Sequence, residues 1–308
     1  MPNPQTVASN ASDSNAQQRV SVSLKNLIEL AKPAAALDLR RSRISAAQSG
    51  AYLSHFKGRG MAFAETRLYQ PGDDVRRIDW RVTARTGKTH SKIFNEDRER
   101  PLLISVDYRA TMSFATRGLF KSVLAARLAG LLAWSALYQG DRIGGQIFSD
   151  NGCQELKPLS GKAAMLHFFQ ALTTPRYHAL GDLCLDKVLA RLQQHARPGS
   201  RVIIISDFRG LNSAAEHHLA QLGRHCDVIL LHIADPLEMQ LPLKGRYRFT
   251  DNVRELFFDG SDNKLKQEYQ QRYQQRRQRL QQLCRRFNLT WLSCATTDQP
   301  VDIVQALM

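Results

Sequence analysis

The sequence has no disulfide framework, which excludes a small stapled secreted scaffold. Its five cysteines (Cys153, Cys184, Cys226, Cys284 and Cys294) are odd in number and form no C-x-x-C pair. The common zinc spacings are excluded with it, and the pattern suits a reducing compartment. No run is long and apolar enough to span a bilayer. The longest, Val123 to Tyr138, contains Arg127 and reads as a buried core helix. The N-terminus, Met1 to Gln18, lacks the basic-then-apolar pattern of a secretory leader, so a soluble, cytoplasmic protein is expected. No G-x-S-x-G occurs. Ser160-Gly161-Lys162 lacks both the upstream glycine and the following hydroxyl of a phosphate-binding loop. The nine histidines show no H-E-x-x-H spacing. The usual nucleophile, nucleotide and zinc chemistries therefore find no support.

What is present is an ordinary globular composition with an excess of positive charge. The 308 residues are 43% hydrophobic and carry 43 Lys+Arg against 28 Asp+Glu, a net +15. Length allows one large domain or two ordinary ones. The charge raises nucleic-acid binding as a hypothesis, to be judged by where the charges lie.

Residues 1–20 read as a polar tail and residues 21–100 as an N-terminal helix followed by a segment of short strands. The helix spans Val20 to Lys32 and stops near Pro33. In the next segment, strands around Phe63–Tyr69 and Lys88–Asn95 flank a Gln70-Pro71-Gly72-Asp73 type II turn. A short helix, capped by Asp73 or Asp74, carries Val75, Ile78 and Val82 and ends at Gly87.

From residue 101 to 308, apolar β-branched runs alternate with helical patterns. Strands are expected at Leu102–Asp107, Arg142–Phe148, Gly152–Pro158, Arg201–Asp207, Asp227–Ala234 and Leu289–Ser293. This predicts an α/β domain with a mostly parallel sheet flanked by helices. Residues 235–262 read as an irregular connection with a hairpin around Arg246–Phe258. One long helix is expected at 263–287.

Two strands end in aspartate, at Asp107 and Asp207, where open parallel sheets bind ligands. Asp107-Tyr108-Arg109-Ala110-Thr111 resembles the D-x-S-x-S metal-ion-dependent adhesion motif of von Willebrand factor A domains, with Arg109 in place of the first serine. Asp107, Thr111 and Asp207 form a degenerate Mg²⁺ site on this reading. A guanidinium has no lone pair to offer a cation, so Arg109 is expected to pair with Asp107 or Asp207 and substitute for the metal. The plainer alternative is that both aspartates cap the helices that follow. A third ligand segment would fall near Leu180-Gly181-Asp182-Leu183.

The segment GRGMAFAETRLYQPGDDVRRIDWRVTARTGK closely resembles the signature of the bacterial domain-of-unknown-function family number fifty-eight. The shared features fall on Gly58, Gly60, Arg67, Tyr69, Pro71, Gly72, Asp73, Asp74, Arg76, Ile78, Asp79, Trp80, Ala84 and Arg85. They continue through Asp107, Phe120-Lys121-Ser122, Gly140-Asp141-Arg142 and Ile205-Ser206-Asp207-Phe208. One departure is Ala62, where many members carry Glu. The resemblance implies a von Willebrand factor A-like fold. It also implies a non-enzymatic adaptor or scaffold that works with a MoxR-type AAA+ ATPase on other proteins.

Within the signature, arginines alternate with carboxylates, which suits an internal bidentate network. The same residues suit a docking surface anchored by Trp80, with Arg85 beside it. From Lys264 to Arg286, eight basic residues face one acid, Glu268, a local +7. Leu265, Tyr269, Tyr273, Leu280, Leu283, Cys284 and Phe287 give that helix an apolar stripe. Its basic face, with Arg272, Arg276, Arg277 and Arg279, is either solvated or meets an acidic protein surface or nucleic acid. A metal-dependent enzyme at the Asp107/Asp207 crevice is the most distant reading.

Overall fold

The computed structural model describes residues 17–37, 61–71, 73–96, 101–174, 183–241, 245–250, 255–259 and 263–307. The chain divides into two compact units, Ser45–Glu99 and the remainder, Met1–Ile44 with Arg100–Met308. In chain order the elements begin with two short helices, α1 (Leu24–Glu29) and α2 (Ala31–Ala35). The smaller unit holds β1 (Met61–Leu68), α3 (Trp80–Thr86) and β2 (His90–Glu96). The larger unit resumes with β3 (Pro101–Asp107), α4 (Lys121–Gln139), β4 (Arg142–Ser149), β5 (Gly152–Leu159), α5 (Lys162–Thr173) and α6 (Leu185–His195). It continues with β6 (Arg201–Ser206), α7 (Ser213–His225), β7 (Asp227–Ala234), α8 (Pro236–Met239), β8 (Arg246–Thr250) and β9 (Glu255–Asp259). It closes with α9 (Asn263–Phe287), β10 (Thr290–Ala295) and α10 (Pro300–Gln305).

The sheet order is β10-β7-β6-β3-β4-β5. Every pairing is parallel except β4 with β5. This is the mostly parallel α/β sheet flanked by helices that the alternating pattern predicts. The inner strands are buried almost throughout, because helices cover both faces. One core layer gathers α4 and α5 with Leu27 and Val304. The other gathers α6, α7 and Leu280, Leu283 and Cys284 of α9. Helix α4 is buried along nearly its whole length, as its apolar run, interrupted by Arg127, requires.

The sheet needs glycine at one inner position. Gly145 has φ 141°, and a Cβ there would lie 2.0 Å from the Ile104 carbonyl oxygen. That contact falls where β4 shifts register against β5.

Four local expectations are corrected. The chain does not stop being helical at Pro33, which sits in the first turn of α2, where a missing N–H is tolerated. Helices α1 and α2, grouped above with the signature, pack on α4 instead. Trp134 Nε1 donates to the Leu27 carbonyl at 2.9 Å, and Ala34 and Leu27 are fully buried. Residues 17–20, read above as tail, are helical, and the Phe120 N–H donates to the Arg19 carbonyl. Finally, the expected helix over Val75–Val82 is two pieces, a 3-10 turn at Val75–Arg77 and α3. Asp74 caps the first. Asp79 starts the second afresh by accepting from the Arg81 and Val82 N–H groups. Gly87 ends α3 in the left-handed region, as expected.

Gly58, Gly60, Gly72 and the 180–182 ligand segment lie outside the described residues, as do residues 1–16 of the expected tail.

Candidate functional site

The chain leaves β3 toward β4 on one side, while β6, paired on the other side of β3, continues toward β7. The crevice of an open α/β sheet forms beyond such a reversal. Asp107 ends β3, and Asp207 follows β6 directly. Strand geometry thus brings the two aspartates together across a sequence separation of a hundred residues.

Arg109 turns back onto Asp107. Its Nη2 lies 2.7 Å from Oδ2 and its Nε 3.1 Å from Oδ1, while its own backbone N–H donates to Oδ1 at 2.9 Å. Ser206 Oγ donates to Asp107 Oδ2 at 2.6 Å. The same Nη2 stands 3.7 Å from Asp207 Oδ1. The pairing of Arg109 with Asp107, and at longer range with Asp207, is therefore present.

Sequence reasoning missed the second cation. Lys121 opens α4 and is completely buried. Its Nζ contacts Asp207 Oδ2 at 3.2 Å and Glu238 Oε1 at 2.8 Å. Arg209 Nη2 reaches the same Glu238 oxygen at 2.7 Å. Three carboxylates (Asp107, Asp207, Glu238) thus meet three cations (Arg109, Lys121, Arg209), and the network is neutral. A buried lysine is tolerable only with such partners. The signal lay in the family pattern Phe120-Lys121-Ser122: a lysine at the mouth of an otherwise apolar helix.

Burial is the largest influence on both aspartates and pushes each carboxyl up. At Asp107 it prevails, with the neighbouring Asp207 charge adding to it. At Asp207 the Lys121 charge, the Arg209 N–H and the two guanidinium charges outweigh it, and the group is held low. Burial also works against the Arg109 charge, but its bonds to Asp107 prevail and raise its affinity for the proton. One raised and one lowered carboxyl is a pattern that acid–base enzymes use. Here, however, Asp107 has no exposed surface for a substrate to reach.

The residues do not fit a divalent cation. Donors from Arg109 and Lys121 already occupy the carboxylate oxygens that a metal would need. Thr111, the third expected ligand, keeps a buried hydroxyl with no hydrogen-bond partner, but one neutral oxygen does not supply the ligand set of a divalent cation. No group of three or more His, Cys, Asp or Glu suited to a metal occurs among the described residues. Nor do the aspartates act mainly as helix caps, although Asp107 and Asp207 each accept a backbone N–H two residues on. Asp235 is the loop pin. It accepts from the Thr116 N–H and hydroxyl, the Leu237 N–H and the Thr296 hydroxyl. It thereby ties together the loops after β3, β7 and β10. Burial works against its charge, but these bonds hold it low.

In the smaller unit, β1 and β2 pair antiparallel. Arg67 pairs with Asp73 at 2.6 Å, and the Tyr69 hydroxyl donates to the Asp73 carbonyl. Gln70 accepts the Asp73 N–H, which closes the turn. Of the expected Arg–carboxylate network, the pair of Arg67 with Asp73 is present among the described residues. Asp74 and Asp79 serve as caps instead, and Asp79 lies 3.7 Å from Lys92. Arg76, Arg81 and Arg85 are exposed. Trp80 is 70% exposed, and Val75 and Leu68 of the same unit are exposed as well.

Helix α9 places Tyr273, Arg276, Arg277 and Arg279 along a crevice of about 290 Å³ that reaches Asp207. Arg279 pairs with Glu216, and Arg277 stacks over Trp291 at 5.5 Å. Arg272 is exposed and lies outside the crevice lining.

Comparison with known proteins matches residues 65–279 to a family described as "Protein of unknown function DUF58". Uncharacterized proteins of Mycobacterium tuberculosis and Mycobacterium bovis are 30% identical over 226 residues, 71% of this chain and 70% of each relative. Similar solved structures include an aerotolerance-related membrane protein from Bacteroides fragilis (12% identity, TM-score 0.44, 68% of this chain and 96% of that one). The conserved hypothetical protein BatB from Bacteroides thetaiotaomicron gives 12% identity and TM-score 0.43 over the same shares. A von Willebrand factor type A protein from Catenulispora acidiphila gives 14% identity and TM-score 0.33, over 48% of this chain and 35% of that one.

Proposed function

The chain belongs to the DUF58 family, and we propose that it is a non-enzymatic adaptor that docks protein partners through its signature unit. The observation that carries this reading is Trp80, 70% exposed on a short helix. A large aromatic held out to solvent costs hydrophobic free energy, and tryptophan and arginine are the residues that dominate docking surfaces. Arg76, Arg81 and Arg85 are exposed in the same unit and supply directional donors. The neutral network at Asp107 and Asp207 supports the same reading, since its charged groups satisfy one another. The partner proposed from the family resemblance is a MoxR-type AAA+ ATPase, acting in the cytoplasm on a client protein.

The test is affinity purification of the full chain from native cells, with mass spectrometry, for the wild type, Trp80→Ala and Arg85→Ala. Both positions are exposed, so both variants are expected to melt like wild type, within about 0.5 kcal/mol. Both are expected to lose an ATPase from the captured set. Early melting with the captured set unchanged would show that these residues hold the unit together instead.

A further inference from the structure

We propose that the crevice between the Phe208–Leu211 loop and helix α9 binds the phosphoryl group of a phosphate monoester. This is independent of the docking reading, which concerns the other unit. The crevice lies beyond the C-terminal ends of β6 and β7, and about 290 Å³ is open within it. That is the end of an open α/β sheet at which ligands bind.

The first observation is a break in a pattern. The inward stripe of α9 runs through Tyr273, Leu280, Leu283 and Cys284, all buried. One turn on from Tyr273, at the spacing where the stripe calls for apolar residues, stand Arg276 and Arg277, and both line the crevice. Arg276 is exposed at the rim, while Arg277 is half-buried, and a helix that merely covered the sheet would have no use for a half-buried guanidinium there.

The second observation is three buried polar atoms with no partner, in residues that line the crevice. His232 Nδ1, the Tyr273 hydroxyl and Arg277 Nε are buried and make no hydrogen bond, and all three residues line the crevice. His232 and Tyr273 are each more than nine-tenths buried. An unsatisfied buried polar group costs about 1–3 kcal/mol; the three atoms have no accessible surface of their own, and a ligand that draws these side chains round to it recovers that cost. Burial drags the His232 pKa to about 4, leaving the ring neutral, with a proton available to donate from one nitrogen.

The third observation is charge. Asp207 and Glu238 also line the crevice, but Lys121 and Arg209 match them, and Glu216 matches Arg279. Arg276 and Arg277 pair with no carboxylate among the described residues. Their combined +2 complements a phosphate monoester, which carries about −1.5 to −2 at pH 7; a carboxylate would match half of it. Guanidinium forks suit phosphoryl oxygens, and Phe208 and Leu280 give the ester body an apolar wall.

The test is titration calorimetry of the full chain with adenosine monophosphate and, separately, with a phosphoseryl peptide. At least one is expected to bind saturably, with a dissociation constant on the order of 1 mM or tighter. Arg276→Gln changes an exposed side chain, and Tyr273→Phe removes only a hydroxyl. Each is expected to weaken binding about tenfold with the melting temperature kept. Tighter binding of the nucleotide would assign the site to a small metabolite, and tighter binding of the peptide to a phosphorylated protein. The proposal is overturned if neither probe gives saturable heat, if both variants keep wild-type affinity, or if a matched glutamyl peptide binds equally well.

Discussion

Arg109 is the residue whose loss the molecule can least absorb. Arg109→Ala would leave Asp107, with no exposed surface, beside Asp207 with one cation fewer. Removing one partner of a buried pair costs about 3–5 kcal/mol, and urea denaturation is expected to show a loss of that size. His232 gives a second residue-scale prediction. Its folded pKa of about 4 lies below the ordinary 6.5, so the unfolded chain binds more protons between those values. Stability from this group is present above pH 6.5 and is lost as the pH falls toward 4. On going from pH 7 to 4.5, wild type is expected to lose on the order of 2 kcal/mol more than His232→Gln in urea melts. At this scale the sequence revealed what ends strands. Asp107, Asp207 and Arg109 were legible because two apolar runs stop at them. Lys121, Arg209 and Glu238 were not, because their meeting depends on three loops whose relative placement follows only from the sheet order.

Elements were more legible than residues, because burial on both faces imposes continuous apolar runs that differ sharply from the helical stripes between them. The failures came where capping decides. Asp79 restarts a helix within a pattern whose spacing Val75, Ile78, Val82 is that of one continuous helix. Pro33 marks no helix end because it falls in a first turn. The apolar stripe of α9 was legible, yet its interruption at Arg276 and Arg277 acquires meaning only once the crevice is seen beneath it. Gly145 carries the element-scale prediction. A Cβ there meets the backbone of β3, and no rotamer change relieves a clash with a carbonyl. Gly145→Ala is therefore expected to destabilise the sheet by on the order of 3 kcal/mol, read as an early thermal transition of the whole larger unit.

For the molecule as a whole, the +15 is unevenly committed. The pairs on Asp107, Asp207, Glu238 and Glu216 are each neutral, so the whole excess remains outside them, and nearly half of it, +7, lies within Lys264–Arg286. A charge gathered on one helix suits a local acidic protein surface more than general nucleic-acid affinity. Any complex with duplex DNA at low ionic strength is expected to vanish by about 0.15 M salt in a mobility-shift assay. The division into two units was legible in part. The signature stood out by its turn and cap chemistry. The attachment of α1 and α2 to the larger unit depends on the fit of Leu27 against Trp134, and the local pattern of residues 21–37 carries no trace of it.

The ion cluster between β3 and β6 has a consequence for control. A crevice held by a metal gains stability from mass action and answers to the free concentration of that metal. Here the counter-ions are tethered through the chain itself, so their effective concentration is set when the polypeptide is made. Magnesium and chelators are both expected to leave the melting temperature unchanged. The ion cluster is thus insulated from the divalent-cation concentration of its surroundings.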